Sequence, residues 1–251
     1  MTNATKYLIY TIAIGEKFHG LARMFVNSLL HTGKWKHDLI VLSDVESIAG
    51  LPKTAKVISL QNLDWNLDIN LRFNGTWRPE ICYKSIIKHY IDINRYKYLL
   101  YLDSDILINS HRLNMLVDKA SDTGNICVME DRISVKNNNR VTGRYELSES
   151  EKIKWANVAI NAGVVGFPGN DFGEEFLLNW ESKRSNHPKG DFFSDQATLY
   201  ALLLRNYQGQ WQYIGDTIHG RQLKTYSQTI IHFTQFKDNL MEKYYKQMLK
   251  L

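Results

Sequence analysis

Tyr98-Leu99-Leu100-Tyr101-Leu102-Asp103-Ser104-Asp105 is the stretch that decides how this chain folds. Five apolar residues in a row, without the alternation of a half-buried strand, predict a strand covered on both faces, as in a parallel sheet. Two carboxylates, two positions apart, follow where that strand must end. Open α/β sheets take their ligands just beyond the carboxyl ends of their strands. A pair of acids at such an edge repels itself unless a cation lies between them, so the spacing points to a divalent-metal site that holds an anion. The plainer reading is a strand end whose acid caps the next turn. Asp-x-Asp alone does not choose between the two.

Working outward, the apolar runs alternate with helical periods. Tyr7 to Ile14 reads as a first strand, and Phe18 to His31 as a helix through Leu21, Met24, Phe25, Ser28 and Leu29. Leu39 to Leu42 is a second buried strand ending at Ser43-Asp44, and Val57 to Leu60 a third. Residues 61–78, rich in Asn, Asp and Trp, read as a loop, and a helix is expected from Pro79 to about Asp92. After the Asp-x-Asp strand come a helix near Leu113 to Ala120, a strand at Ile126 to Met129, and a polar stretch over 131–150 that reads as a lid or binding loop. One alternating α/β domain of mixed, mostly parallel sheet flanked by helices is the expected architecture.

The composition agrees. Of 251 residues, 44% are hydrophobic and 23% charged, which suits an ordinary globular core. Cys82 and Cys127 lack the spacing of a zinc site or a disulfide framework. A reducing, cytoplasmic setting is expected, since the first strand is too short to span a bilayer and lacks a signal peptide's flanks. The net charge of +5 favours an anionic partner. With no Arg/Lys-rich block or nucleic-acid motif, nucleic acid is not expected to be that partner. Over 236–251, Leu240, Met241, Tyr244, Tyr245 and Met248 fall on one helical face, with Lys243, Lys246 and Lys250 largely off it. That helix, set apart from a main domain over 1–235, either packs on the core or rests on the inner face of a membrane.

Three further segments carry chemistry. Asn161-Ala162-Gly163-Val164-Val165-Gly166-Phe167 puts an amide and small residues before a strand, where another molecule can approach the backbone. Asp195-Gln196 opens a helical stretch to Arg205, and His232 ends the apolar run Thr229-Ile230-Ile231, with Lys237 beyond it. Each has a plain alternative: a tight turn, a helix cap, a structural histidine.

In this order they match a family. The chain resembles the GT-A-fold nucleotide-sugar glycosyltransferases, most closely glycosyltransferase family 8, over roughly residues 7–237. The carriers are Tyr101-Leu102-Asp103-Ser104-Asp105-Ile106-Leu107, then Asn161-Ala162-Gly163-Val164, Asp195-Gln196, and His232 ahead of a Lys. Arg78-Pro79-Glu80-Ile81-Cys82-Tyr83-Lys84 looks like the family segment whose basic residue meets the donor.

The resemblance implies a metal-dependent transfer of a hexose from a UDP-sugar to a glycan or glycolipid acceptor, such as lipopolysaccharide. Asp103, Asp105 and His232 would ligate Mn²⁺, or Mg²⁺, bridging the donor's diphosphate. Lys84 and Lys237 would pair with phosphate or sugar oxygens, and Ser104, Asn161, Ala162 and Gly163 would border the donor. Asp195 and Gln196 would flank the anomeric carbon. Retention is the implied outcome, with Gln196 on the reacting face and the departing phosphate as base. In an inverting enzyme Asp195 would be the base. The chain departs from the family in three places. Thr11-Ile12-Ala13-Ile14-Gly15 lacks the usual acid after the first strand, leaving the backbone of Thr11 and Ala13 to read a base. The segment from His232 to Lys237 lacks its glycine and is one residue short. Lys84 stands where an Arg is common, keeping charge but losing the bidentate fork. Two other classes remain open: a phosphatase of the haloacid dehalogenase type, and a nucleotide-sugar-binding protein without turnover.

Overall fold

A central sheet of seven strands carries the molecule in the computed structural model, which describes residues 6–60, 72–73, 76–77, 84–130, 148–154, 158, 160–185, 194–219, 227–233 and 238–250. In chain order the elements are β1 (Tyr7–Ala13), α1 (Glu16–His31), β2 (Asp38–Ser43), β3 (Lys56–Ser59), β4 (Arg72–Phe73) and β5 (Thr76–Trp77). Two 3₁₀ turns follow (Ile86–His89 and Ile93–Arg95), then β6 (Tyr98–Leu102), β7 (Ile106–Ile108), α2 (Leu113–Thr123) and β8 (Ile126–Glu130). The remainder are α3 (Glu149–Lys154), β9 (Ile160–Pro168), α4 (Asp171–Ser185), α5 (Ser194–Asn206), β10 (Trp211–Tyr213), β11 (Thr217–His219), β12 (Ile230–His232) and α6 (Asp238–Met248).

The main sheet runs β10-β8-β9-β6-β1-β2-β3. Only β9 is antiparallel to its neighbours. This is the mixed, mostly parallel α/β sheet expected, and its strands are apolar because both faces are covered. Successive residues of β1 divide between the two faces: Leu8, Tyr10 and Ile12 join the layer with Phe167, Phe176 and Trp180, whereas Ile9 and Ala13 join the layer with Phe25, Leu29 and Val117. A second sheet, β11-β12-β7, closes against the end of the first.

Two expectations need correction. The part of the segment after Pro79 that is described forms a 3₁₀ turn over Ile86–His89 rather than an α-helix. Ile86 and Ile87 of that turn are both buried. Asn161-Ala162-Gly163 lies inside β9, not before it. The lid assigned to 131–150 falls outside the described residues up to 147; its last residues enter α3.

The C-terminal stripe is packed on the core. Met241 is fully buried and Tyr244 nearly so, in a cluster with Leu21, Leu107, Ile231 and Phe233. Leu240, Tyr245 and Met248 are partly covered against the same cluster, and Lys243, Lys246 and Lys250 remain exposed. No helix among the described residues is long and apolar enough to cross a membrane. Deleting 238–251 uncovers this cluster and should cost roughly 3 kcal/mol or more, read as a lowered thermal midpoint. An unchanged midpoint would show that the cluster stands without α6.

Candidate active site

The strand order contains one topological switch near the centre. The chain lays down β1, β2 and β3 toward one edge and then places β6 on the other side of β1. The crevice at the carboxyl ends of β1 and β6 is where this class of sheet binds ligands. Asp103 is the first residue past β6.

A tight turn holds it there: Ile106 N–H donates to Asp103 O at 3.1 Å, and Asp103 N–H to Gly163 O at 2.8 Å. The turn feeds β7, which pairs antiparallel with β12 so that Ile106 lies opposite His232. Phe233 N–H donates to Asp105 O at 2.9 Å, locking that register. The sheet pairing thus brings a histidine more than 120 residues away in sequence beside the acid pair. His232 Nε2 is 3.3 Å from Asp103 Oδ2 and 3.1 Å from Asp105 Oδ1.

Asn161 to Gly163 arrive through a bulge. Met129 pairs with Asn161 but its neighbour Val128 pairs with Val165, so residues 162–164 leave β8. Val164 still pairs with Leu102 on the other side. A bulge of this kind re-aims a segment without ending the strand. Asn161 Oδ1 accepts the Gly163 N–H at 2.8 Å, and its Nδ2 points to Gln196 Oε1 at 3.4 Å. Glycine is required at 163: a Cβ there would sit 2.3 Å from His232 Cε1 and 2.7 Å from Asp103 Oδ2. Gly163→Ala should therefore displace the histidine or the acid and weaken divalent-metal binding at least about tenfold, measured by titration calorimetry. Unaltered affinity would mean that neither group is a ligand.

Lys84 ties the parts together. Its Nζ lies 2.7 Å from Asp195 Oδ2 and 3.1 Å from Asp103 Oδ1, and it donates to Ala162 O at 3.1 Å. It stands 5.1 Å from the centre of the Tyr101 ring. Its own carbonyl accepts the Tyr10 hydroxyl at 2.7 Å. Asp195 and Gln196 sit in the first turn of α5, both buried. The Asp195 carbonyl receives Trp180 Nε1 at 3.2 Å and Thr198 Oγ1 at 3.1 Å, which fixes the start of that helix.

The electrostatics follow from this packing. Burial alone would lower the Lys84 pKa, but Asp103 and Asp195 override it and hold the ammonium charged well above its ordinary range. Burial alone would raise the Asp103 pKa, but Lys84 and His232 drive it well below the usual carboxylate range. Burial alone would lower His232; Asp105 and Asp103 instead lift it to about 10, with a proton on the imidazole. That proton lies where two carboxylates and an imidazole converge, the place a cation would take. The residues fit one. Their ligand atoms lie within 4.8 Å of one another. The N···O separations of 3.1 and 3.3 Å are close to the roughly 3 Å expected of neighbouring ligands on a small octahedral ion.

Lys84, Asp103, Asp105, Asn161, Ala162, Gly163, Asp195, Gln196 and His232 thus come together, and Ser104 is buried between the two acids. Thr11 and Ala13 lie in the carboxyl-terminal half of β1, the strand that pairs with β6, and the Ala13 carbonyl accepts Ser43 Oγ at 2.8 Å. Lys237 lies outside the described residues. Two participants were not anticipated. Tyr101, whose hydroxyl donates to Asp103 Oδ1 at 2.5 Å, was legible, because residues two apart along a strand share a face. Trp180 was not, since nothing near it in sequence marks an active site.

The edge of β1 and β2 holds a separate contact. His19 Nε2 is 2.8 Å from Asp44 Oδ1 and 3.2 Å from Ser43 Oγ, and Gly15 N–H donates to Asp44 Oδ2 at 3.1 Å. One imidazole nitrogen serves both partners, so this is no relay of the serine-hydrolase kind, which uses both. It ties α1 to β2. A groove of about 520 Å³ between α1 and α6, bordered by Lys17, Arg23, Tyr245 and Lys246, shares no residue with the candidate site.

No protein-family model and no curated protein matches the chain. Solved structures do. The galactosyltransferase LgtC, in complex with donor and acceptor sugar analogs, superposes with a TM-score of 0.68 at 13% identity, over 97% of this chain and 96% of that one. Mouse xyloside xylosyltransferase 1 gives 0.57 at 12% identity, over 92% and 98%. GlyE of Streptococcus pneumoniae gives 0.61 at 12% identity, over 98% of this chain and 60% of that one. These neighbours are GT-A glycosyltransferases, and the chain has the GT-A fold.

Proposed function

We propose that this protein is a metal-dependent glycosyltransferase that moves a hexose from a UDP-sugar to a glycan acceptor of lipopolysaccharide or other lipid-linked type, with retention at the anomeric carbon. The observation that carries the reading is the convergence of Asp103, Asp105 and His232 with Lys84, Asp195 and Gln196 at the switch point between β1 and β6. The fold supports the reading, since LgtC, which shares it, is a galactosyltransferase in complex with donor and acceptor sugar analogs.

In this reading Asp103, Asp105 and His232 hold Mn²⁺ or Mg²⁺. The bound ion supplies Lewis-acid stabilisation of the charge that builds on the leaving diphosphate. Lys84 presents a permanent positive charge beside the sugar and the phosphate that leaves with it. The bulged Asn161-Ala162-Gly163 backbone lets the donor approach closely, and Asn161 orients the Gln196 amide. Gln196 then faces the reacting carbon as a neutral group that neither takes nor gives a proton.

Retention is favoured over inversion by the state of Asp195. Its carboxylate is buried and paired with Lys84 at 2.7 Å. A general base must be poised near the operating pH and within reach of the acceptor hydroxyl. A carboxylate whose oxygen is already bonded to a buried ammonium is less free to meet an acceptor hydroxyl, which leaves the departing phosphate to take the acceptor's proton.

The test is UDP release from UDP-hexoses with Mn²⁺, with and without EDTA, followed by NMR of the product's anomeric configuration. Release of inorganic phosphate from simple phosphomonoesters, without UDP, would replace the transferase with a phosphatase. Tight UDP binding without turnover would leave a binding protein.

A further inference from the structure

Asp103 offers its two carboxylate oxygens to different neighbours. Oδ1 accepts the Tyr101 hydroxyl at 2.5 Å and lies 3.1 Å from Lys84 Nζ. Oδ2 faces His232 Nε2 at 3.3 Å and the Gly163 backbone. The phenol cannot swing away. Its ring is 2% exposed, packs on Tyr10 at 5.2 Å between centroids, and lies under the Lys84 ammonium. Turning the carboxylate so that both oxygens meet one cation would break the phenol bond and the lysine pair together.

That constraint bears on which ion the site accepts. Ca²⁺ takes about six to eight oxygens in flexible geometry, often from bidentate carboxylates, whereas Mg²⁺ requires near-ideal octahedral coordination at about 2.0–2.1 Å. Groups that orient a ligand typically change metal affinity by about 10–100-fold. We propose that the Tyr101 hydroxyl, acting with Lys84, is a positioning group that restricts Asp103 to a single metal-facing oxygen and so makes the site prefer a small octahedral divalent cation over Ca²⁺. This rests on the reading of Asp103, Asp105 and His232 as metal ligands, and it assigns Tyr101 a part in ion selection that does not involve touching the ion.

Tyr101→Phe keeps the ring and its packing and removes only the hydroxyl. Mn²⁺ and Ca²⁺ affinities of the full chain are measured by titration calorimetry, with and without UDP, and Mn²⁺ binding is checked by electron paramagnetic resonance. The Mn²⁺ affinity should fall about 10–100-fold while that of Ca²⁺ falls far less or rises, so that the Mn²⁺/Ca²⁺ ratio drops at least about tenfold. Tyr98→Phe is the control: it deletes a hydroxyl of the same strand, bonded to Asn125 O at 2.8 Å, on the other face of the sheet. An unchanged ratio in Tyr101→Phe, or an equal change in Tyr98→Phe, overturns the proposal and leaves the ligand reading standing. A wild-type protein that binds neither ion removes both at once.

Discussion

Replacing Lys84 by methionine should destabilise the protein by about 3–5 kcal/mol at neutral pH and abolish sugar transfer. The aliphatic stem is kept, so the packing beside Tyr101 survives and the missing charge dominates. Asp195 and Asp103, with side chains 10% and 23% exposed, are left facing each other without their shared cation. Removing one member of a buried ionic cluster costs more than the pair contributed, because the partner charge stays buried. The pH dependence has a definite sign. Lys84 has a raised pKa in the fold, so its contribution is present in full below about pH 10 and fades as pH rises through the folded value. Asp103 has a lowered one, so its contribution is present above about pH 4 and fades as the solution is made more acid. The deficit of Lys84→Met should therefore be largest in the neutral range and shrink toward low pH, as the stranded Asp103 takes up a proton. Denaturant melts across pH measure it. Adding Asp195→Asn should return much of the stability without returning activity. If Lys84→Met is as stable as the parent at pH 7, the lysine is not the hub of this network.

Much of the fold and of the candidate site was legible in the sequence, and the limits are physical. The unbroken apolar runs of β1, β2, β6 and β8 announce a sheet covered on both faces, because only such a strand can dispense with alternation. The acids after β6 fall where a parallel sheet presents its ligands, so their position carried more than their identity. The bulge in β9 left no such mark. The displacement of 162–164 depends on β9 pairing with β6 on one side and β8 on the other, and no local pattern reports a strand's two partners at once. The same holds for the clamp on Lys84, whose acids come from the turn after β6 and from α5, and for α4, whose Leu178 is 51% exposed beside the buried Leu177 and so blurs the helical stripe. Long-range pairing of charges is a property of the assembled fold. A sequence shows which residues have the chemistry, and only packing shows which of them meet.

Asp105→Ala separates the metal site from the turn it sits in. The turn is held by the backbone: Ile106 N–H reaches Asp103 O, and Phe233 N–H reaches Asp105 O. Alanine preserves both bonds, so the register of β7 against β12 should persist and the thermal midpoint should move by only a few degrees, about 1 kcal/mol of stability. Among the described residues the side chain meets His232 Nε2 at 3.1 Å rather than a backbone N–H, which disfavours the turn-capping reading. Deleting it removes one of three candidate ligands together with a full negative charge. Groups that merely orient ligands change metal affinity by about 10–100-fold, so loss of a ligand itself should exceed that range. UDP binding in the presence of Mn²⁺ should fall to the level seen in EDTA. UDP binding in EDTA should be no weaker than that of the parent, because the variant also removes an anion from the neighbourhood of the diphosphate. Calorimetry of UDP with and without Mn²⁺ resolves the two terms. A variant that still gains affinity from Mn²⁺ as the parent does would return Asp105 to the plain role of a residue in a turn.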